Sequence, residues 1–146
     1  KYKGDTEIGF YLGEMMGRTL LNSSRFSSID ALVPLPLYAD KEHKRGYNQA
    51  AIICNGISAV MNVPVLNGTV IRQQATETQT RKHRTERWEN VKQSFKVAKG
   101  HELAGKHLLL VDDVVTTGAT LEACGHVILG IERVKLSIAT LAYAAK

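Results

Sequence analysis

Two cysteines, three prolines and one tryptophan in 146 residues close off several classes of protein at once. Cys54 and Cys124 are too far apart for a metal knuckle, and each stands where a helix buries a small residue, so both are expected as reduced core thiols. No apolar run reaches the roughly 18 residues that cross a bilayer, and the amino end lacks the basic, apolar and small-residue succession of a secretory signal. A cytoplasmic chain without membrane insertion is therefore expected. The five histidines, His43, His83, His101, His107 and His126, show neither HExxH nor any paired-ligand spacing, which speaks against zinc held within these residues. No internal repeat or low-complexity tract is present.

What remains is the material of one α/β domain. A hydrophobic share of 44% in 146 residues is enough for a core. The chain opens on Lys1 and a helical pattern starts within a few residues, so it reads as a piece of a longer protein. The net charge of +5 is concentrated in one segment. Residues 70–99 carry eight cations (Arg72, Arg81, Lys82, Arg84, Arg87, Lys92, Lys96, Lys99) against three anions, whereas the flanking segments are almost balanced. Such a run is either an ordinary solvated face or a surface for a polyanion, a nucleic acid or a polyphosphorylated small molecule.

Asp5 or Thr6 can cap a first helix whose apolar stripe is Ile8, Leu12 and Met15, followed by Thr19. Ile29 to Leu37 reads as a buried strand stopped by two prolines, and the polar, basic stretch YADKEHKRGYNQ leads to a helix with Ile53, Ile57 and Val60 on one face. Short strands are expected at Val63 to Leu66 and Thr69 to Arg72 around the turn Asn67-Gly68. Gln73 to Gln93 has little hydrophobic period and reads as a long excursion that returns through a strand at Ser94 to Val97. Lys106 to Asp112 is the clearest strand. A helix lined by Leu121, Cys124, Ile128 and Ile131 follows it, and Arg133 to Tyr143 supplies a last strand. The alternation predicts a mainly parallel sheet flanked by helices.

Ligands of such sheets gather beyond the carboxyl ends of the strands. LLLVDDVVTTGATLEACG, from Leu108 to Gly125, lies at one such end. Gly118 and its small neighbours let successive backbone N–H groups converge on an anion at a helix start, with Thr116, Thr117 and Thr120 adding hydroxyls. A bare phosphate cradle would be repelled by Asp112 and Asp113. Carboxylates accept hydrogen bonds from hydroxyls and hold hydrated Mg2+, so the combined loop suits a sugar diol next to a phosphate, as in ribose 5-phosphate.

LLLVDDVVTTGATL resembles the phosphoribosyl diphosphate motif of type I phosphoribosyltransferases. VPLPLYADKEHKRGYNQA, QTRKHRTERWENVKQSF and YKGDTEIGFYLGEMMG are similar to stretches of its ComF branch, so the resemblance covers nearly the whole chain. It implies the type I phosphoribosyltransferase fold for residues 1–146, with a basic hood or flexible loop at about 70–97. It also implies an enzyme that transfers ribose 5-phosphate to or from a nitrogenous base, using phosphoribosyl diphosphate or a nucleoside 5-phosphate. Within it, Asp112 and Asp113 are assigned to the ribose hydroxyls and, through water, to Mg2+. Thr116, Thr117, Gly118, Ala119 and Thr120 would wrap the 5-phosphate, and Lys44 and Arg45 the pyrophosphate. Arg84 and Arg87 would be the catalytic lid cations, stabilising the leaving group as the ribose turns oxocarbenium-like. The acceptor base is not legible: the hood is poor in aromatics, Trp88 being the nearest. ComF relatives commonly carry a cysteine-rich zinc segment ahead of this domain, and type I relatives often dimerise. The branch equally implies an alternative, a non-catalytic nucleotide or single-stranded DNA-binding module acting with other competence proteins in DNA uptake or utilisation.

Two lesser signals fail on context. GHELAGKH nearly fits a Walker phosphate loop, but His107 replaces the Ser or Thr that meets Mg2+ and the piece precedes a strand rather than opening a helix. The Asp pair also invites comparison with response-regulator receivers, whose acids open the chain; here they stand near its end.

Overall fold

The computed structural model describes residues 3–73 and 94–145. A parallel sheet of β1 (Ala31–Pro34), β4 (His107–Val115) and β5 (Lys135–Tyr143) forms the centre, in the order β1-β4-β5. Val65 adds one parallel bridge to Leu32 on the outer side of β1. This bridge is all that forms where a strand is expected at Val63 to Leu66. β2 (Val70–Arg72) and β3 (Phe95–Val97) make a separate antiparallel pair. The helices are α1 (Lys3–Leu21), α2 (Ala39–Arg45), α3 (Gln49–Met61) and α4 (Ala119–Leu129). The mainly parallel sheet flanked by helices that the sequence predicts is what these elements build.

β4 shows why the sheet sits where it does. Leu108, Leu109, Leu110 and Val111 are all fully buried, as a central parallel strand covered on both faces requires. Alternate side chains enter different cores. Leu108 and Leu110 join Ala31, Val33, Phe95, Cys124 and Ile128, whereas Leu109 and Val111 join Leu32, Ile53, Cys54 and Ile57. Both cysteines are free and buried, as expected, and burial pushes the Cys124 thiol up to about 12. β4 extends three residues past the expected end, so Asp112 still pairs with Thr140 of β5 and the acids belong to the strand itself.

α1 departs from its sequence pattern. Most of the expected stripe faces outward, with Ile8 60% and Met15 47% exposed, Thr19 also exposed and Leu12 half-buried, while Gly13, Gly17 and Leu20 form the buried side. Glycines at 9, 13 and 17 make a ridge one turn apart, and α3 lies against it. A Cβ on Gly13 would stand 2.2 Å from the Ile53 carbonyl oxygen, and one on Gly56 would stand 2.1 Å from that of Phe10. The helices approach backbone to backbone, which no larger residue permits.

At the opposite end of the sheet from the acids, His107 ties three segments together. Its backbone N–H donates to Asp30 Oδ2 at 2.7 Å, its Nδ1 lies 2.8 Å from Ser28 Oγ, and its Nε2 lies 2.8 Å from Ser137 Oγ. The ring is 5% exposed, and its burial, followed by the charge of Lys135, lowers its pKa. The polar, basic stretch YADKEHKRGYNQ contains the short helix α2, which the sequence pattern does not predict and which ends at Gly46 in the left-handed conformation (φ 88°). The excursion beyond Gln73, with Arg81, Lys82, Arg84, Arg87 and Trp88, lies outside the described residues.

Two measurements check this reading. Gly13→Val should cost at least about 2 kcal/mol, roughly 8 °C in thermal midpoint, while Gly4→Ala, whose Cβ meets nothing within 4 Å, should cost nothing. A histidine with a lowered folded pKa takes up its proton more readily when unfolded, so its contribution is present above about pH 6.5 and fades as pH falls below it. The midpoint gap between the parent and His107→Gln should therefore narrow from pH 7 to pH 5; a constant gap contradicts the role given to the ring.

Candidate functional site

The carboxyl end of β4 runs into α4 through Thr116, Thr117 and Gly118. Gly118 stands at the N-cap with φ 81° and ψ −2°, a left-handed conformation that costs an L side chain roughly 1–2 kcal/mol. This reversal turns the chain into the helix and leaves amides on the concave side. Ala119 N–H is held by Thr117 Oγ1 at 3.3 Å, and Glu122 N–H donates to the Gly118 carbonyl at 2.8 Å. Among the described residues, the amides of Thr116, Thr117, Gly118 and Thr120 donate no intramolecular hydrogen bond. They are open to a ligand, and the positive end of α4 lies behind them.

These residues line a hollow of about 210 Å³ together with Asp112, Asp113, Leu35, Leu37 and Arg72. All seven residues that the motif assigns to ribose 5-phosphate, Asp112, Asp113 and Thr116 to Thr120, thus face one space. Each acid gives its Oδ1 to the next backbone amide: Asp112 accepts from Asp113 N–H at 2.9 Å, and Asp113 from Val114 N–H at 2.8 Å. The Asp112 pKa is raised to about 6, chiefly by burial, with the neighbouring Asp113 carboxylate adding to the rise and the Asp113 amide and Arg72 opposing it. Asp113 also borders a second hollow of about 210 Å³ between α1, α3 and β5, lined by Ile8, Leu12, Tyr47, Ile52 and Leu141 among others.

The expected pyrophosphate pair stands on α2. Lys44 and Arg45 lie exposed in the last turn of α2 and line none of the three hollows at this end; Arg45 donates to Gln49 Oε1 at 2.6 Å. The third hollow, about 290 Å³, lies between β1, α2 and β2 and includes Glu42, Asn48, Asn67 and Arg72. Asn48 is well placed to shape it, since its Nδ2 donates to the Leu35 carbonyl at 3.0 Å and its Oδ1 caps α3 through Ala50 N–H at 2.9 Å. Arg84 and Arg87, the expected lid cations, lie outside the described residues.

Arg72 is the residue that sequence reasoning counted only as one charge in a basic run. Its guanidinium carbon lies 4.2 Å from the centroid of the Tyr38 ring and 5.1 Å from that of Phe95. A parallel bridge joins Arg72 to Tyr38, fixing the pair. The only signal available in sequence was its place as the last strand residue before the excursion.

Among the described residues, no group of three or more His, Cys, Asp and Glu side chains is placed to hold a metal ion. Two adjacent carboxylates are a hard donor set that completes an octahedral cation's shell only together with water or a ligand's own oxygens. No described helix is long and apolar enough to cross a membrane.

Three comparisons place this geometry. Competence protein F of Haemophilus influenzae is 36% identical over 110 residues, 73% of this chain and 48% of that protein. DNA utilization protein YhgH of Escherichia coli K12 is 29% identical over 132 residues, 88% of this chain and 57% of that protein. The chain spans about half the length of the curated relatives it matches. A solved glutamine phosphoribosylpyrophosphate amidotransferase from Bacillus subtilis superposes with a TM-score of 0.61 at 14% identity, over 90% of this chain and 26% of that one, a likeness of fold. The phosphoribosyl transferase domain family matches residues 45–146, from the end of α2 through the acids and the threonine loop to the last strand, and the chain belongs to that family, in its ComF branch.

Proposed function

We propose that this domain binds a 5-phosphorylated ribose, as phosphoribosyl diphosphate or a nucleoside 5-phosphate, and serves as the nucleotide-binding module of a competence or DNA-utilisation protein. The observation that carries the ligand is the 210 Å³ hollow in which open amides at Gly118 stand beside two carboxylates. The amides and threonine hydroxyls supply donors for the 5-phosphate, each charge-assisted bond contributing roughly 1.5–3 kcal/mol. Asp112 and Asp113 accept from the ribose diol. The process is supported by the relatives, named for competence and for DNA utilisation. The basic excursion then offers phosphate contacts to single-stranded DNA, which weaken steeply with salt.

Transfer of ribose 5-phosphate to or from a base is the second reading, favoured by the same acids. Asp112 and Asp113 are hard oxygen donors that would hold Mg2+ through water, and the ion would supply charge neutralisation for a diphosphate when bound. No side chain has to act as the nucleophile, since the incoming nitrogen attacks the anomeric carbon. The chain's contribution is to orient the ribose, hold its phosphate and exclude water.

Calorimetric titration with phosphoribosyl diphosphate and Mg2+ tests the ligand. The parent should bind, and Asp112→Asn/Asp113→Asn and Gly118→Val should each weaken binding by about tenfold or more. Unchanged affinity in both variants removes the hollow as the site. Pyrophosphate release with any of a panel of bases moves the protein to the transferase reading; salt-sensitive retention of single-stranded DNA without release supports the module.

A further inference from the structure

We propose that the hollow between α1, α3 and β5 is a second binding site, for a linear aliphatic diamine or polyamine. It lies on the side of the sheet where Leu109 and Val111 meet Ile53, and Asp113 is the one residue it shares with the Gly118 hollow. Its walls are aliphatic: Ile8 and Leu12 of α1, Ile52 of α3 and Leu141 of β5. Two acids join them, Asp5, exposed in the first turn of α1, and Asp113, half-buried near the end of β4. Among the described residues no lysine or arginine lines the hollow, and neither acid takes part in an ion pair. Arg45, one turn before Gln49, is engaged by the Gln49 Oε1 at 2.6 Å. In a chain of net charge +5, this hollow is lined by anions and hydrocarbon alone at its charged and apolar positions.

That combination selects its occupant. Hydrocarbon walls give nothing to a hydrated metal ion, which asks for oxygen on every side. They suit methylenes, each of which adds to affinity as it leaves water. Carboxylates contributed by two separate elements suit ammonium groups, which only donate. A chain of methylenes with an ammonium at each end offers both parts, as a lysine stem lying on an apolar surface does with one charge. The size agrees: a cavity of about 150 Å³ lined by apolar side chains holds a benzene, and this hollow has about 210 Å³. The inference stands apart from the ribose reading, because Asp5 and all four walls lie outside the Gly118 hollow.

The test is calorimetric titration of the protein with ethylenediamine, putrescine and cadaverine, without Mg2+ or any phosphate ligand, so that its result is independent of the ribose site. Affinity should rise with chain length, at least about twofold for each added methylene. Butylamine, which carries the charge of a single lysine side chain, should bind about threefold more weakly than putrescine. Ile8→Lys sets a competing cation at the hollow and should weaken putrescine about tenfold or more. Tyr11→Lys adds the same charge to the same helix outside the hollow and should stay within about twofold. Ile8 and Tyr11 are 60% and 57% exposed, so thermal midpoints should match the parent's. Should Ile8→Lys not fold, Asp5→Asn decides, with an expected loss of about threefold. No binding by the parent overturns the proposal. So does affinity that ignores chain length, butylamine as tight as putrescine, or equal loss in the two lysine variants, each of which marks amines held by charge alone.

Discussion

Everything at the functional end depends on four side chains that never meet water. Leu108 to Val111 fill both cores from the middle strand, each contributing roughly 1.5–3 kcal/mol by burial. In-register ladders to β1 and β5 hold that strand on both sides. Because β4 cannot slide or rotate without exposing them, the residues that continue it are placed as rigidly as the core. Asp112 and Asp113 are such residues. A one-residue slip would exchange the two acids between faces, since successive side chains leave a strand on opposite sides.

The same rigidity sets the electrostatics. Burial at the end of the strand, together with the neighbouring Asp113 carboxylate, raises the Asp112 pKa to about 6. The arrangement is not relieved by a salt bridge among the described residues. It is held because neighbouring donors, the Asp113 and Val114 amides, each take one oxygen, and because Arg72 lies close enough to oppose the shift. Acids on one side of the hollow and open amides on the other suit, on the proposed reading, a ligand with hydroxyls and a phosphate along one molecule.

How far this was legible in sequence varies with how local each cause is. β4, the threonine loop and α4 were readable because burial, the turn and the helix start are all written within 18 consecutive residues. The face of α1 was not. Ile8, Leu12 and Met15 make the apolar pattern, but glycines 13 and 17 decide what is buried, because contact distance to α3 outweighs side-chain hydrophobicity there. α2 was missed since ADKEHKR has no apolar period and only seven residues. The strand expected at Val63 to Leu66 shrinks to one bridge because pairing depends on a neighbour, β1, that is itself four residues long. Arg72 was unreadable for the plainest reason: its slot is built by Tyr38 and Phe95, which lie 34 positions before it and 23 after.

Binding and transfer make different demands on this pocket. A module that senses or carries a nucleotide gains from holding the ground state, and amides around a 5-phosphate do that equally well at every stage of a reaction. Catalysis requires contacts that strengthen as charge moves, and on a departing pyrophosphate those contacts must sit where the new negative charge gathers. On the proposed reading the Gly118 hollow is of the first kind, since the 5-phosphate would be a spectator. A cation set where a departing pyrophosphate would gather its charge would be of the second kind. The balance between the two functions therefore lies less in the motif that marks the family than in what stands opposite it across the ribose.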